Sequence, residues 1–243
     1  MKEELVNIFI KVAHMLKNNS QITKRSRYAT LIKGAYKCLG KHIKKYINYD
    51  IFALQFNQGF YCKNFLKNLI FLDYIYDNGY VFANSVMDIG CGAAPASTAL
   101  NMLIREKYGK NINLQVDLLD KSFRQLELAK GICSGLSIDI NSYQKITFRL
   151  DGHQYNSLAM FSYFVCEQEK SFIKSLYKYR NCFKSGFIIV DYKYVIERIK
   201  KTFDRYGDNR IHVVSLHITL PPNISDVLQE KDINVYGCYF ENR

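Results

Sequence analysis

The sequence has 243 residues, of which 48% are hydrophobic, so it is long enough to bury a sizeable core and does not have the composition of a disordered chain. No apolar run reaches the roughly 20 residues of a transmembrane helix, and the acidic start at Glu3 and Glu4 is not typical of a signal peptide. Seven singly placed cysteines, without a Cys-x-x-Cys pair, disfavour a zinc site, an iron–sulfur site and a disulfide framework. We therefore expect a cytoplasmic protein with reduced thiols and no metal site.

The formal net charge of +12 is unevenly distributed along the chain. Between Leu5 and Tyr49 there are ten lysines and arginines but no aspartate or glutamate. Such a run attracts phosphates, anionic lipids or acidic substrates, and one interpretation is that residues 11–45 bind RNA. The other interpretation is that the lysines reflect a compositional bias of the whole chain and form a solvated surface.

Three helices are predicted before residue 80, at 3–17, 23–47 and 65–76, because apolar residues recur there at helical spacing. The second is a basic amphipathic helix. It either packs on the domain with its lysine face in solvent or contacts nucleic acid or a membrane surface. An aromatic stretch that includes Phe56 and Phe60 precedes the third helix. We predict that residues 1–80 form a helical cap and that residues 81–243 form the core domain.

Strands and helices alternate from Val81 onward, which predicts an α/β fold with a mostly parallel sheet. Two further strands are expected near the end of the chain, on either side of Pro221 and Pro222. The seven strands are expected at 85–89, 114–119, 146–150, 158–164, 186–191, 211–220 and 234–240, and the helices of the core at 95–108, 122–133, 169–182 and 194–204.

The segment from Val86 to Pro95 is the most informative part of the chain. An apolar run leads to Asp88, glycines follow at Gly90 and Gly92, and a new helical segment opens at Pro95. This pattern predicts a buried strand, a tight turn and a helix start, where glycine lets a ligand approach the backbone closely. It is not a dinucleotide-binding loop, because proline replaces the third glycine, and no Gly-Lys-Ser/Thr of a phosphate-binding loop follows.

The segment Asp88-Ile89-Gly90-Cys91-Gly92, with its acid directly before the turn, resembles motif I of the class I S-adenosylmethionine (SAM) methyltransferases. Segments 116–122, 126–130, 150–153 and 158–167 resemble, in order, the family's second strand, the helix after it, the end of the third strand and the active-site end of the fourth. The resemblance covers residues 80–200. It implies a Rossmann-like, mostly parallel seven-stranded sheet with helices on both faces, preceded here by the N-terminal helical extension.

The same resemblance implies that SAM is the cofactor and that S-adenosylhomocysteine is the product. Asp88 would lie beneath the methionine arm and order the turn. Asp120 would bind the ribose hydroxyls, with Asp117 as the alternative, and Asp151 would lie near the adenine amino group. The complete set of expected cofactor-binding residues is Asp88, Gly90, Cys91, Gly92, Asp120, Lys121, Asp151 and Gly152.

One departure from the family pattern concerns the third glycine of motif I, which is Ala94 in this chain. The added methyl group narrows the space beside the cofactor. A non-catalytic binding module built on a degenerate methyltransferase fold is therefore an alternative to an enzyme.

Four residues at strand ends are candidates for accepting a proton in methyl transfer: His153, Tyr163, Glu167 and Asp191. Tyr163 is also a candidate for an aromatic wall at the methyl group. A general base is needed only if the acceptor must lose a proton. The chain lacks Asn/Asp-Pro-Pro-Tyr/Phe and Pro-Cys, which disfavours methylation of amines in DNA and of cytosine carbon 5. We expect a small-molecule or peptide acceptor beneath an N-terminal helical lid, and ribosomal-type RNA, bound through the basic segment, is the alternative acceptor.

Overall fold

The computed structural model describes residues 1–19, 53–109 and 114–242 of the chain. The predicted helix 23–47 and most of the basic segment 11–45 lie outside these residues. The helices are α1 (Glu3–Asn19), α2 (Ala53–Asp77), α3 (Pro95–Tyr108), α4 (Phe123–Gly135), α5 (Lys170–Lys178), α6 (Lys193–Arg205) and α7 (Pro222–Leu228). The strands are β1 (Ser85–Ile89), β2 (Gln115–Asp120), β3 (Ser142–Lys145), β4 (Leu158–Ser162), β5 (Phe187–Val190), β6 (Ile211–Thr219) and β7 (Asp232–Phe240).

All seven strands belong to one sheet, in the order β3-β2-β1-β4-β5-β7-β6. Strands β1 to β5 pair in parallel, whereas β7 is antiparallel to both β5 and β6. The predicted mostly parallel, seven-stranded α/β fold is therefore confirmed. Among the described residues, no helix combines the length and the apolar character needed to cross a membrane.

Helices cover both faces of this sheet, because successive strand residues point in opposite directions. Val86 and Leu158 face a core that they share with buried residues of α1, α2, α3 and α4. Their neighbours Met87 and Ala159 face a second core, which is closed by α5 and α6. The described part of the N-terminal extension therefore packs in the same core as one face of the sheet.

The third strand lies at a different place from the one predicted. The sequence indicates a strand at 146–150, but β3 ends at Lys145, and the Ile146 N–H donates a last hydrogen bond of 2.9 Å to the Asp120 carbonyl. As the edge strand, β3 is largely exposed, so it lacks the apolar alternation that marks a strand in a sequence. That alternation lies instead in the following loop, where Phe148 and Leu150 pack against the second core.

The fourth strand is also shorter than the predicted 158–164. It ends at Ser162 because the next residue, Tyr163, has a left-handed backbone with φ of 54°. An L-residue leaves the extended conformation there, so the ladder stops and the chain turns across the carboxyl edge of the sheet.

Helix α2 approaches the sheet closely because Gly237 of β7 lacks a side chain. A Cβ atom at this position would overlap the ring of Phe71 on α2 and would lie 2.9 Å from the Ile189 carbonyl oxygen. Phe71 itself is fully buried. The glycine therefore sets the distance between α2 and the strands on which it packs.

We predict that Gly237→Ala destabilises the fold by about 1–3 kcal/mol, the usual cost of forcing extra volume into a packed core. Gly131→Ala is the matched control, because Gly131 is exposed on α4 and its Cβ would meet nothing within 4 Å. That substitution should stabilise the protein by about 0.5–1 kcal/mol through helix propensity. Urea unfolding of both variants measures the difference, and equal free energies of unfolding would contradict the proposed close approach.

Candidate active site

The turn after β1 requires glycine for two separate reasons. Gly90 and Gly92 have φ values of 66° and 55°, in the left-handed region that glycine adopts without steric cost. A Cβ atom on Gly90 would also overlap the ring of Phe164, which lies against the turn. The Gly90 and Cys91 N–H groups donate to the Leu119 carbonyl at 2.8 and 3.1 Å, so the turn is attached to β2.

Ala94 takes the same left-handed conformation, with φ of 61° and ψ of 44°, at the residue that caps α3. Its side chain is fully buried. A left-handed L-residue costs roughly 1–2 kcal/mol, so the alanine at this position of the turn is strained. The turn nevertheless keeps its shape, because the Ala94 N–H donates to the Cys91 carbonyl at 2.8 Å.

We predict that Ala94→Gly costs about 1–2 kcal/mol less stability than Ala99→Gly. Both alanines are fully buried, but Ala99 lies inside α3, where glycine has only disadvantages. At Ala94 the glycine relieves backbone strain, which offsets the lost burial of the methyl group. Chemical denaturation of the two variants is the measurement, and equal losses would show that Ala94 is not strained.

Asp88 lies buried beneath the turn and joins β1 to α3. Its Oδ2 accepts hydrogen bonds from the Ser97 N–H at 3.2 Å and from the Ser97 hydroxyl at 2.7 Å. Its Oδ1 is buried, and no described residue donates a hydrogen bond to it. Burial, with a smaller contribution from the charge of Asp120, raises the pKa of Asp88 to about 6. A positively charged or hydrogen-bond-donating group of a ligand would satisfy this oxygen.

Asp120, at the end of β2, uses both carboxylate oxygens to order the backbone around it. Oδ2 accepts from the Gly92 N–H at 2.9 Å, and Oδ1 accepts from the Ser122 N–H at 2.8 Å. Accepting these bonds does not prevent a carboxylate oxygen from accepting a further hydrogen bond, because each oxygen has two lone pairs. Asp120 therefore holds the glycine turn and can bind a diol at the same time.

A cavity of about 200 Å³ opens above these residues, at the carboxyl edge of the sheet. One wall is α2, and the opposite walls are the turn after β1 and the segments that follow β2, β3, β4 and β5. The lining residues are Phe56, Asn57, Phe60, Tyr61, Asn64, Gly90, Cys91, Gly92, Ala93, Pro95, Asp120, Lys121, Gln125, Ile146, Thr147, Phe148, Ser162, Tyr163, Phe164, Glu167, Gln168 and Tyr192.

Most of the residues singled out from the sequence meet at this cavity. The lining includes Gly90, Cys91, Gly92, Asp120, Lys121, Tyr163 and Glu167, with Asp88 directly beneath the turn.

Several predicted site residues do not line the cavity, namely Asp88, Asp151, Gly152, His153, the alternative ribose ligand Asp117 and the candidate base Asp191. Asp151 and Asp117 line a neighbouring cleft, which shares Ile146, Thr147 and Phe148 with the cavity. Asp151 is exposed and accepts a hydrogen bond of 3.0 Å from the His153 N–H. Gly152 contacts Tyr179, and the exposed His153 packs its ring edge-on against Tyr155. The segment 146–148 lines the cavity at the place where the sequence pointed to 151–153.

Hydrogen bonds between side chains attach α2 to its neighbours, including the following three. The Asn57 Nδ2 donates to Gln125 Oε1 at 2.7 Å. The Tyr61 hydroxyl donates to the Thr98 hydroxyl at 3.0 Å, and the Asn68 Nδ2 donates to the Ser162 hydroxyl at 2.8 Å. Sequence patterns indicate only that α2 is partly apolar, so the role of its amides in the site was not predicted. In the sequence, only the aromatic residues Phe56 and Phe60 indicated that this part of the chain lines the site.

The end of the cavity near β4 and β5 is lined by aromatic side chains, and the buried acid Asp191 bonds the backbone beside them. Tyr163 and Tyr192 meet edge-to-face, with their ring centroids 5.3 Å apart. Asp191 accepts from the Cys166 and Tyr192 N–H groups at 2.9 and 2.7 Å, and burial raises its pKa to about 6. The Lys67 ammonium lies 5.5 Å from the centre of the Tyr163 ring. Burial, aided by the neighbouring charge of Lys63, lowers the pKa of Lys67 to about 8.

The raised pKa of Asp88 predicts a specific dependence of stability on pH. The folded protein holds the Asp88 proton more tightly than the unfolded chain, so stability falls as pH rises from about 4 to above 6. The Asp88→Asn variant should lose roughly 2–3 kcal/mol less over this range, at 1.36 kcal/mol per pKa unit. Urea unfolding at pH 4 and pH 7.5 compares the two proteins, and the exposed Asp139→Asn serves as the control. Parallel pH profiles for all three proteins would contradict this cost of ionising Asp88.

Known proteins resemble this chain in fold but not in sequence. No protein-family model and no curated protein sequence matches the chain. A putative class I SAM-dependent methyltransferase from Listeria monocytogenes aligns over 98% of this chain and 87% of that one, with 12% identity and a TM-score of 0.47. The methyltransferase domain of METTL16, in a form called delta-N, aligns over 72% and 82%, with 11% identity and a TM-score of 0.46.

The YcgJ protein from Bacillus subtilis aligns over 72% of this chain and 98% of that one, with 11% identity and a TM-score of 0.44. At such identities the likeness concerns the fold alone. The strand order, with an antiparallel β7 between β5 and β6, independently agrees with the resemblance to class I methyltransferases that the sequence indicates.

Proposed function

We propose that this protein is a SAM-dependent methyltransferase whose acceptor is a small molecule or a peptide held against α2. The observation that carries this proposal is the convergence of three features on one cavity. The glycine turn after β1, the carboxylate of Asp120 and the aromatic face of α2 all line it. A ligand in a crevice at the carboxyl ends of the strands is the general arrangement for open α/β sheets.

The cofactor half of the cavity suits SAM in chemical terms. Asp120 can accept hydrogen bonds from the two ribose hydroxyls while it holds the Gly92 N–H. Gly92 allows the ligand to approach the backbone, because a Cβ atom there would meet nothing nearer than 3.7 Å. The buried Asp88 oxygen, to which no described residue donates, favours positive charge near the turn. SAM, when bound, supplies a methyl group that is already activated on a sulfonium sulfur, so the protein mainly has to orient the acceptor.

The acceptor half of the cavity is shaped by rings, with one carboxyl group at its edge. Phe60 on α2 and Tyr163 and Tyr192 on the sheet side provide apolar walls for a planar group. Glu167 lines this half and is placed to accept a proton if the acceptor must lose one. His153 lies outside the cavity, so we assign the proton-accepting role to Glu167 and a positioning role to Tyr163.

The direct test is calorimetric titration of the purified chain with SAM and S-adenosylhomocysteine. Asp120→Ala should weaken both by about 10- to 100-fold, because it removes charge-assisted hydrogen bonds worth roughly 1.5–3 kcal/mol. Asp151→Ala is the matched control, since this second acid expected to bind the cofactor lines the neighbouring cleft instead. Failure of the folded wild type to bind either compound would favour the non-catalytic binding module, and equal losses in both variants would point to a different cofactor position.

The RNA alternative depends on the basic segment 11–45, most of which lies outside the described residues. RNA binding through this segment would weaken steeply with salt, because bound lysines and arginines displace condensed counterions. We expect binding of SAM without salt-dependent binding of RNA in a filter-binding assay between 50 and 200 mM salt. A steep loss of RNA affinity over that interval would instead favour the RNA alternative.

A further inference from the structure

The N-terminus of α4 contains a capping pattern that the structure uses only in part. Ser122 and Gln125 have the spacing of a capping box, in which each residue bonds the backbone N–H of the other. The Ser122 hydroxyl does accept from the Gln125 N–H, at 3.2 Å. The reciprocal bond is not formed, because the Ser122 N–H donates to Asp120 Oδ1 at 2.8 Å. The side-chain amide of Gln125 is therefore released from the helix end.

The released amide is oriented by a chain of hydrogen bonds that begins in the backbone of α2. The Ala53 carbonyl can only accept, so the Asn57 Nδ2 that lies 2.8 Å from it must donate. The same Nδ2 donates its second hydrogen to Gln125 Oε1 at 2.7 Å. This fixes both amides, because Asn57 presents nitrogen and Gln125 presents oxygen to the other. The remaining atoms of the pair are Asn57 Oδ1, an acceptor, and Gln125 Nε2, a donor.

These two remaining atoms face no partner within the described part of the chain, although the side chains are almost fully enclosed. Asn57 is 5% exposed and Gln125 is 4% exposed, and both line the cavity. A Cβ atom on Gly92 would lie 3.7 Å from Gln125 Oε1, so the amide pair is adjacent to the glycine turn. Neither atom is among the buried polar atoms of the described residues that lack a hydrogen-bond partner, which are Asp73 Oδ1, Asp88 Oδ1 and Asn101 Oδ1. Both atoms are therefore accessible from the cavity, where a ligand can complete their hydrogen bonds.

We propose that the Asn57–Gln125 pair holds the amino-acid arm of the cofactor, with Gln125 Nε2 donating to its carboxylate and Asn57 Oδ1 accepting from its ammonium group. This inference rests on the proposed function. The arm carries a strong acceptor and a strong donor on one carbon atom, and the pair offers the complementary groups side by side. Asp120, which accepts a hydrogen bond from the Gly92 N–H, already provides for the ribose hydroxyls in the proposed function. Asn57 and Gln125 are thus binding residues that determine specificity for the intact cofactor.

The test uses Gln125→Glu, which keeps an oxygen for Asn57 and replaces the donor with an oxygen that repels a carboxylate. We compare S-adenosylhomocysteine with 5′-methylthioadenosine, which has the same nucleoside and sulfur but no amino-acid arm. Calorimetry should show at least about 10-fold weaker binding of S-adenosylhomocysteine and an affinity for 5′-methylthioadenosine within about threefold of the wild type. Retained binding of the second ligand also shows that the variant is folded.

Gln168→Glu is the matched control, because Gln168 lines the same cavity. Among the described residues, its side chain makes a single long hydrogen bond of 3.3 Å, to the Phe164 carbonyl. This substitution introduces the same charge at a residue outside the amide pair. The ratio of the variant's affinities for S-adenosylhomocysteine and 5′-methylthioadenosine should therefore differ from that of the wild type by less than about threefold. An equal change of preference in both variants would overturn the assignment of the arm to Asn57 and Gln125.

Decarboxylated SAM, which keeps the ammonium group, provides a second readout. Gln125→Glu should strengthen its binding while weakening that of SAM, because the new carboxylate attracts one group and repels the other. Equal weakening of all ligands would overturn this inference and leave the methyltransferase proposal intact. Absence of binding by the wild type to any of them would instead reject the proposed function itself.

Discussion

The carboxylate of Asp120 is the constraint on which the rest of the site depends. One of its oxygens holds the Gly92 N–H and the other holds the Ser122 N–H, so a single side chain joins the turn after β1 to the start of α4. The second bond also frees the Gln125 side chain from its expected place in the helix cap. Asp120 therefore couples three features of the site. These are the pairing of β1 with β2, the shape of the glycine turn and the orientation of the Gln125 side-chain amide.

Helix α2 is equally a structural element and a wall of the site. Its apolar face is buried with α1, α3 and α4 in the first core, and Gly237 allows it to lie close to β7. Its polar residues Asn57, Tyr61 and Asn68 make hydrogen bonds to the core at positions around the cavity. Because the same helix provides packing and lining, a change that shifts α2 alters stability and the shape of the cavity together.

The site also concentrates features that are unfavourable in the absence of a ligand. Burial raises the pKa of both Asp88 and Asp191 to about 6, so their ionisation near neutral pH costs stability. Ala94 and Tyr163 hold left-handed backbones without being glycine. Such strain and uncompensated burial are characteristic of functional sites, where the surrounding fold maintains them. In this protein, the hydrogen bonds around the turn and the packing of α2 supply that support.

The sequence by itself determined the α/β class, the glycine turn and the acids at the ends of β1 and β2, because hydrophobic periodicity and turn chemistry are local properties. It misplaced β3, since an exposed edge strand carries no apolar alternation, and it pointed to Asp151 where the structure brings the segment around Thr147 to the cavity. Only the tertiary structure decided the partners of Asn57 and Gln125, which are 68 residues apart. Hydrogen bonds between distant side chains depend on how α2 packs over the sheet, and no local pattern encodes that packing.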